Sequence, residues 1–392
     1  MARREYDPVT GEEIEQKRKL NYREQYFDYS LLLVWIFIML LGYVLLYSAS
    51  SFVGLTAMGD SAFYLKNQIR ATCFGLVGMI PVIFLDYRWW KKFDKFIYIV
   101  SIASVALVQT PLGIESHGAK RWVKMGPIQF QPAELVKIGV IVITAYMISK
   151  CSVNALKNIK TCYQIFAVTI VGAGLIVVLT SNLSSAIIIV GISTVMLLVA
   201  GACKKFVFSL GILGGGAMML IVMAGAVAGK SFRLSRIMVW LHPEEYSDSG
   251  GYQVLQGLYA IGSGGLFGKG LGNSAQKLGF VPEASNDMIF SIICEELGIF
   301  GAVCIMLLFA FMIRRMRVIA SNAYDLYGSM LVIGVMAHIS IQVILNIAVV
   351  TNSIPNTGVS LPFISYGGTS LAFLMVEMGI VFSVSRRIRR IR

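Results

Sequence analysis

The chain has 392 residues, a mean hydropathy of +0.72 and only 14% charged residues. A water-soluble protein of this length exposes far more charge, so a soluble globular domain is excluded. The net charge of +13 is scattered over many short stretches rather than gathered in one patch; this argues against nucleic-acid binding and for loops that flank membrane spans and touch anionic lipid.

In chain order, residues 1–27 form a polar tail, too polar for a signal peptide, so the first apolar run serves as an uncleaved anchor. Runs of about 20 apolar residues, enough to cross a bilayer, then recur at roughly 29–50, 68–86, 96–112, 132–149, 163–180, 183–201, 206–228, 288–313, 328–350 and 367–385. The expected fold is therefore an all-α integral membrane protein, a polytopic bundle of about ten transmembrane helices. The fifth and sixth spans are separated by only a short turn at Ser181-Asn182. With the N-terminus in the cytoplasm, 23 of the 34 Lys and Arg residues fall on the cytoplasmic side, and an even number of spans brings both termini inside. The division expected is a tail (1–27), one membrane domain (28–386) and a basic C-terminus (387–392). The six cysteines lie in spans or on the cytoplasmic side, so neither disulfides nor a metal site is expected from them.

Three outer segments gather the polar groups that the spans avoid. The first, in the loop at roughly 113–131, reads "KRWVKMGPIQFQPAELVK". Pro132 fits the first turn of a helix, on which Glu134 and Lys137, three residues apart, share a face. An intramembrane carboxylate and ammonium are costly unless they pair or face a wet cavity. Both readings stay open: a structural ion pair, or a cavity wall where Lys137, with Arg121 and Lys124, meets an anionic substrate group. Trp122 is an interfacial belt residue or part of that wall.

The second segment ends the large outer loop (about 229–286) between the seventh and eighth spans. Within that loop, "YQVLQGLYAIGSGGLFGKGLG" reads as a structured, glycine-broken stretch lying at or re-entering the membrane. It follows no strand and lacks the Walker pattern, so it is not a nucleotide loop. Then comes "VPEASNDMIFSIICEELG". A helix is expected to begin just after Asn286, with Ser285 or Asn286 as its cap and Asp287 in its first turn. Asp287 is either a capping carboxylate or a base; the latter needs a half-desolvated setting facing a cavity. Glu295 and Glu296, about two turns on, point in different directions and read as internal hydrogen-bonding groups. Asp287 with Glu283 would offer a divalent cation (Mg or Mn) two carboxylates.

The third segment, "TNSIPNTGVSLPFISYGGTS", has two prolines, three glycines and no charge. Such irregular backbone is tolerated at membrane depth only when buried in protein or lining a cavity. Ser365 and Tyr366 offer hydroxyls there, in a ligand-contacting or a purely structural loop. Gln342 and Asn346 read as interhelical hydrogen bonders, and His117, His242 and His338 make no metal set.

Together with "YSASS" at the end of the first span and "IPNTGVSLPFISYGGTSL" before the last, these segments resemble the SEDS family (shape, elongation, division and sporulation: FtsW, RodA, SpoVE), over about residues 28–386, and its FtsW/SpoVE branch more than RodA. The resemblance implies a ten-span peptidoglycan glycosyltransferase of the bacterial plasma membrane, with both termini cytoplasmic and the site facing outward. It polymerises lipid II, with undecaprenyl pyrophosphate as leaving group, and works with a class B penicillin-binding protein and other division or elongation proteins. The family's essential aspartate falls on Asp287. Its polar loop residues fall on Arg121, Trp122, Gln131, Glu134 and Lys137; Lys124, Glu283, Ser365 and Tyr366 complete the expected substrate-binding set. Two departures stand out: "ASNDM" where many members have "AHTDF", and "SNLSS" where many have "PDLGT", so Asn182 carries no charge-dependent role. A lipid II flippase and a non-catalytic scaffold for the transpeptidase are the competing readings.

Overall fold

A computed structural model describes residues 25–116, 119–126, 128–227 and 232–389. His117 and nearly all of the expected N-terminal tail lie outside them. In lipid, every backbone polar group has to be satisfied within the protein, and apolar runs do this as helices. The first half contains α1 (Tyr29–Met58), α2 (Phe63–Phe84), the single turn α3 (Tyr87–Trp90), α4 (Asp94–Ala106), α5 (Pro132–Lys150), the single turn α6 (Val153–Leu156) and α7 (Ile159–Thr180). The second half contains α8 (Leu183–Val199), α9 (Lys204–Val227), α10 (Phe232–Leu241), α11 (Tyr252–Gly264), α12 (Ile289–Ser321), α13 (Leu326–Val350) and α14 (Thr369–Ser385). Each expected apolar span corresponds to one of these helices. Six of them, α1, α2, α5, α7, α12 and α13, are long and apolar enough to cross a bilayer, and α8 and α14 are shorter apolar helices.

The distribution of side chains is that of a multi-pass membrane protein. Large apolar residues such as Phe37, Val77, Phe84, Val178, Phe208 and Phe300 face outward, whereas Glu134, Lys137, Glu295, Glu296 and Glu377 are buried. A soluble fold does the reverse. Helices α5 and α13 occupy the centre of the bundle, with most of their residues buried. The turn between α7 and α8 is as tight as expected: Ser181 takes φ 50, and the Asn182 side chain accepts from the Ser185 N–H at 3.0 Å.

The all-α expectation fails in two places. The loop before α5 folds as an antiparallel sheet of β2 (Gly113–Ser116), β3 (Ala119–Met125) and β4 (Ile128–Phe130), in the order β2-β3-β4. Its backbone groups cannot stay unpaired beside the membrane, and residues 119–125 alternate between two faces as strands require. A second strand pair joins β1 (Gln25–Tyr26) to β5 (Ile388–Arg389), and the Arg315 Nη2 lies 2.7 Å from Asp28 Oδ2 beside them.

The long loop re-enters the bundle. Helix α12 is broken at Gly298, whose φ of 68 combined with a ψ of -171 is a conformation essentially open to glycine alone. The carbonyls freed by the break are taken up by the loop after α11: Lys269 and Gly270 N–H donate to the carbonyls of Glu295 and Glu296, each at 2.9 Å. In return Ile299 and Phe300 N–H donate to the carbonyls of Gly265 and Leu266, each at 3.0 Å. Outer α12 and the loop thereby form one unit.

Candidate functional site

Asp287 sits on a platform, not on a helix cap. Helix α12 begins at Ile289, with Met288 at the cap position and no side-chain cap. The sequence expectation put its start two residues earlier, with Ser285 or Asn286 capping. The polar groups go elsewhere: the Asn286 amide donates to the Glu283 carboxylate, and the Ser285 carbonyl accepts from the Tyr366 N–H at 2.9 Å. Glu283 itself takes a left-handed φ of 56, and its carbonyl accepts from the N–H groups of Asn286 and Met288, closing the chain into consecutive turns. From α13, the Asn346 amide donates to the Asp287 carbonyl at 2.7 Å and to the Val359 carbonyl at 2.8 Å. The acid's backbone is thus pinned to the uncharged loop that precedes α14.

The side chain of Asp287 is only 8% exposed. The Gln253 amide of α11 points a donor at its Oδ1 from 3.5 Å, and a methyl group added at Gly358 would stand 3.8 Å from its Oδ2. Burial pushes its carboxyl up to about 7, with the nearby Glu283 carboxylate adding to the effect; backbone N–H groups and Arg236 work in the other direction. A buried acid near neutrality is half ionised at physiological pH, where a general base is most effective.

Two arginines are linked to the acid electrostatically, Arg236 directly and Arg121 through Arg236. Arg236 of α10 is half-buried and donates to the Asn356 carbonyl at 3.1 Å. Burial lowers its pKa, as does Arg121; Asp287 raises it, so Arg236 lies within electrostatic reach of both. Arg121 on β3 is also partly desolvated, and its Nε is buried with no hydrogen-bond partner among the described residues. Bringing two guanidinium groups together in a half-buried site is unfavourable until an anion joins them, and their planar donors suit phosphate oxygens.

The remaining expected residues are placed unevenly. Glu134 and Lys137 form a buried ion pair at 2.7 Å, with the Lys137 side chain 1% exposed. Trp122, half-buried, stands opposite Ile114 on the sheet, while Lys124 pairs with Gln129 and is exposed. Gln131 precedes α5 without capping it through its side chain, and Pro132 takes the first helical turn as expected. The Ser365 hydroxyl is buried and accepts from the Leu361 N–H at 2.8 Å, so it serves the loop. Tyr366 is half-buried and packs edge-on against Tyr64, with ring centroids 5.1 Å apart. Glu295 and Glu296 point away from Asp287 into separate ion pairs with Lys269 (2.6 Å) and Lys277 (2.8 Å). Ser48 of the "YSASS" stretch, which lies within α1, donates to Glu296 at 2.6 Å.

Sequence reasoning passed over Arg236, Gln253, Asn356 and Lys277. Two weak signals existed: charges in the otherwise apolar stretch around Arg236, and the two lysines, Lys269 and Lys277, in a glycine-rich run. Among the described residues no three His, Cys, Asp or Glu side chains come together as a metal cluster.

Comparison with known proteins places this geometry. The FtsW/RodA/SpoVE family, described as "Cell cycle protein", matches residues 28–390. The chain is 37% identical to stage V sporulation protein E of Bacillus subtilis (strain 168) over 92% of its own length and 97% of that protein. It is 33% identical to a probable peptidoglycan glycosyltransferase FtsW of Trichlorobacter lovleyi, covering 93% of this chain and 94% of the relative. In structure it resembles the rod shape determining protein RodA of Thermus thermophilus (TM-score 0.66, 25% identity, 93% of this chain and 98% of that one). A chain from a peptidoglycan synthase complex that coordinates polymerization and crosslinking shares the fold (TM-score 0.75, 24% identity, 92% of this chain and 98% of that one). The protein belongs to the FtsW/RodA/SpoVE family, the SEDS proteins.

Proposed function

We propose that this chain is a peptidoglycan glycosyltransferase that polymerises lipid II at the outer face of a bacterial plasma membrane. The observation that carries the reading is one acid, Asp287, buried and pushed up to about 7, with Arg236 and beyond it Arg121 within electrostatic reach. The name of the relative at 33% identity, a probable peptidoglycan glycosyltransferase, supports the reaction class. Asp287 takes the proton of the acceptor sugar's 4-hydroxyl as that oxygen bonds to the anomeric carbon of the donor. The bond from that carbon to the pyrophosphate oxygen breaks, and undecaprenyl pyrophosphate leaves with the electron pair. Inversion from an α-linked donor to a β-linked product needs one displacement and no covalent intermediate, unlike the paired-carboxylate hydrolases.

Arg121 and Arg236 offset the charge that develops on the departing pyrophosphate. Lys137, its ammonium committed to Glu134, shapes the cavity wall rather than receiving the leaving group. Trp122, Lys124, Gln131 and Tyr366 line the approach, and Ser365 holds the loop that faces Asp287. A divalent cation, Mg or Mn, would arrive with the pyrophosphate, held by phosphate oxygens and water, and would supply positive charge there, while Asp287 stays free to take the proton. The membrane topology has ten spans, cytoplasmic termini and an outward-facing site. A class B penicillin-binding protein and other division or elongation proteins are the partners, the former crosslinking the emerging glycan.

The test uses purified protein and labelled lipid II. Wild type makes polymer, and Asp287→Ala loses about 10²–10⁴-fold in rate, the usual contribution of a general base. Polymerisation by Asp287→Ala at the wild-type rate removes the base from this reading. Lipid II movement across liposomes without polymer replaces the whole reading with a flippase.

A further inference from the structure

The Gln253 side chain could present either end of its amide to Asp287: a donor that favours the carboxylate, or an acceptor that repels it. Its neighbours settle which. A backbone N–H can only donate, and that of Gly358 does so to the Asn356 Oδ1 at 2.9 Å. The other end of Asn356 is therefore its NH₂, which donates to the Gln253 Oε1 at 3.2 Å. The Gln253 NH₂ is left facing the Asp287 Oδ1 at 3.5 Å. One obligatory backbone donor thus fixes two amides in series, with the last aimed at the acid. The contact is long here; catalytic hydrogen bonds often tighten only when substrate is bound.

The same residue joins the other half of the site. The Asn356 carbonyl accepts from the Arg236 Nη1 at 3.1 Å, so the acid, the amide pair and the cation move as one network across α10, α11 and the loop before α14. We propose that Gln253 is a positioning residue for the base, held donor-first toward Asp287 by Asn356, so that it stabilises the ionised, proton-accepting form. The inference rests on Asp287 being the base. The charged groups facing Asp287 are Glu283 from its own turn and Arg236 from α10, with Arg121 behind Arg236. Helix α11 and the loop at 351–368 contribute no charged residue.

The test is the pH dependence of kcat/KM for lipid II polymerisation by purified protein. Gln253→Met keeps the length and the stem but removes the donor. Its acid limb moves upward by about half to one pH unit, so that kcat/KM at pH 6 falls about three- to tenfold while the alkaline plateau stays within about twofold of wild type. Asn356→Ala, which does not touch the acid and leaves the Arg236 carbonyl in place, shifts the limb in the same direction. The double variant shifts it no further than Gln253→Met alone, because both substitutions act through one amide. An unmoved limb with uniformly lower activity, or shifts that add, overturns the proposal while the wild-type limb still reports a base. Absence of any acid limb in wild type, or an active Asp287→Ala, overturns the base itself instead.

Discussion

A carboxyl whose value rises on folding to about 7 has opposite consequences for activity and for stability. For activity, on the proposed reading of Asp287 as the base, only the ionised form works, so kcat/KM climbs with pH and levels off above about 7. For stability, the folded state binds the proton more tightly than the unfolded chain. Nothing is lost below the ordinary carboxylate range; the cost grows as pH rises from there and is complete above about 7. It amounts to about 1.4 kcal/mol for every pH unit by which the value is raised. Asp287→Asn therefore inactivates the enzyme yet raises its melting temperature at pH 8, and the gain shrinks as pH falls toward 4. Thermal unfolding in detergent across that range checks this, and a melting temperature unchanged at pH 8 would mean that the acid is well solvated. At this scale the sequence was half legible. An acid beside Ser285 and Asn286 looked like a cap because capping is local, whereas the groups that bury Asp287, from α11, α13 and the loop before α14, are remote in the chain. Arg236 was missed for the same reason: its acceptor lies 120 residues away.

At the scale of elements, the break in α12 explains two ion pairs, one buried and one with an exposed lysine, that a helix wheel does not. The Lys277–Glu296 pair, with side chains 7% and 1% exposed, and the Lys269–Glu295 pair join the loop to the helix at the Gly298 break, where four backbone hydrogen bonds already cross. Breaking a buried pair by removing one partner strands a charge, at a cost of about 3–5 kcal/mol, whereas replacing both by apolar groups of similar volume is often neutral. Lys277→Met should unfold the loop or abolish stable expression, and Lys277→Met/Glu296→Leu should recover most of the melting temperature. A double variant as unstable as the single one would show that Ser48 and the carboxylate act without the lysine. The ten apolar runs were readable because spanning length and composition are local properties. The small sheet was harder to see: its strands are only four, seven and three residues long, and its alternation was masked by the charged Glu115, Lys120, Arg121 and Lys124. The self-pairing of the termini had no local signal at all.

Across the whole molecule, helix α12 carries the site at one end and the Arg314, Arg315 and Arg317 cluster at the other. The 23 residues that follow the break, Ile299 to Ser321, span about 35 Å, more than the roughly 30 Å of hydrocarbon, which is enough to put the two ends in different aqueous phases. The basic end also gathers Asp28, which pairs with Arg315, and the β1–β5 pairing of the two termini. The positive-inside rule favours the cytoplasm for that end, which supports the proposed outward-facing placement of Asp287, Arg121 and Arg236. The placement matters for chemistry as well as topology: a polymerase whose product crosses no membrane has to release its glycan where the wall is built. In a cysteine-free background, Glu283→Cys, exposed beside the acid, should react with a membrane-impermeant maleimide in intact cells. Arg317→Cys, equally exposed at the far end, should react only after permeabilisation. The reversed pattern would put the acid in the cytoplasm, where polymerisation of an outward-facing lipid-linked donor by Asp287 is ruled out.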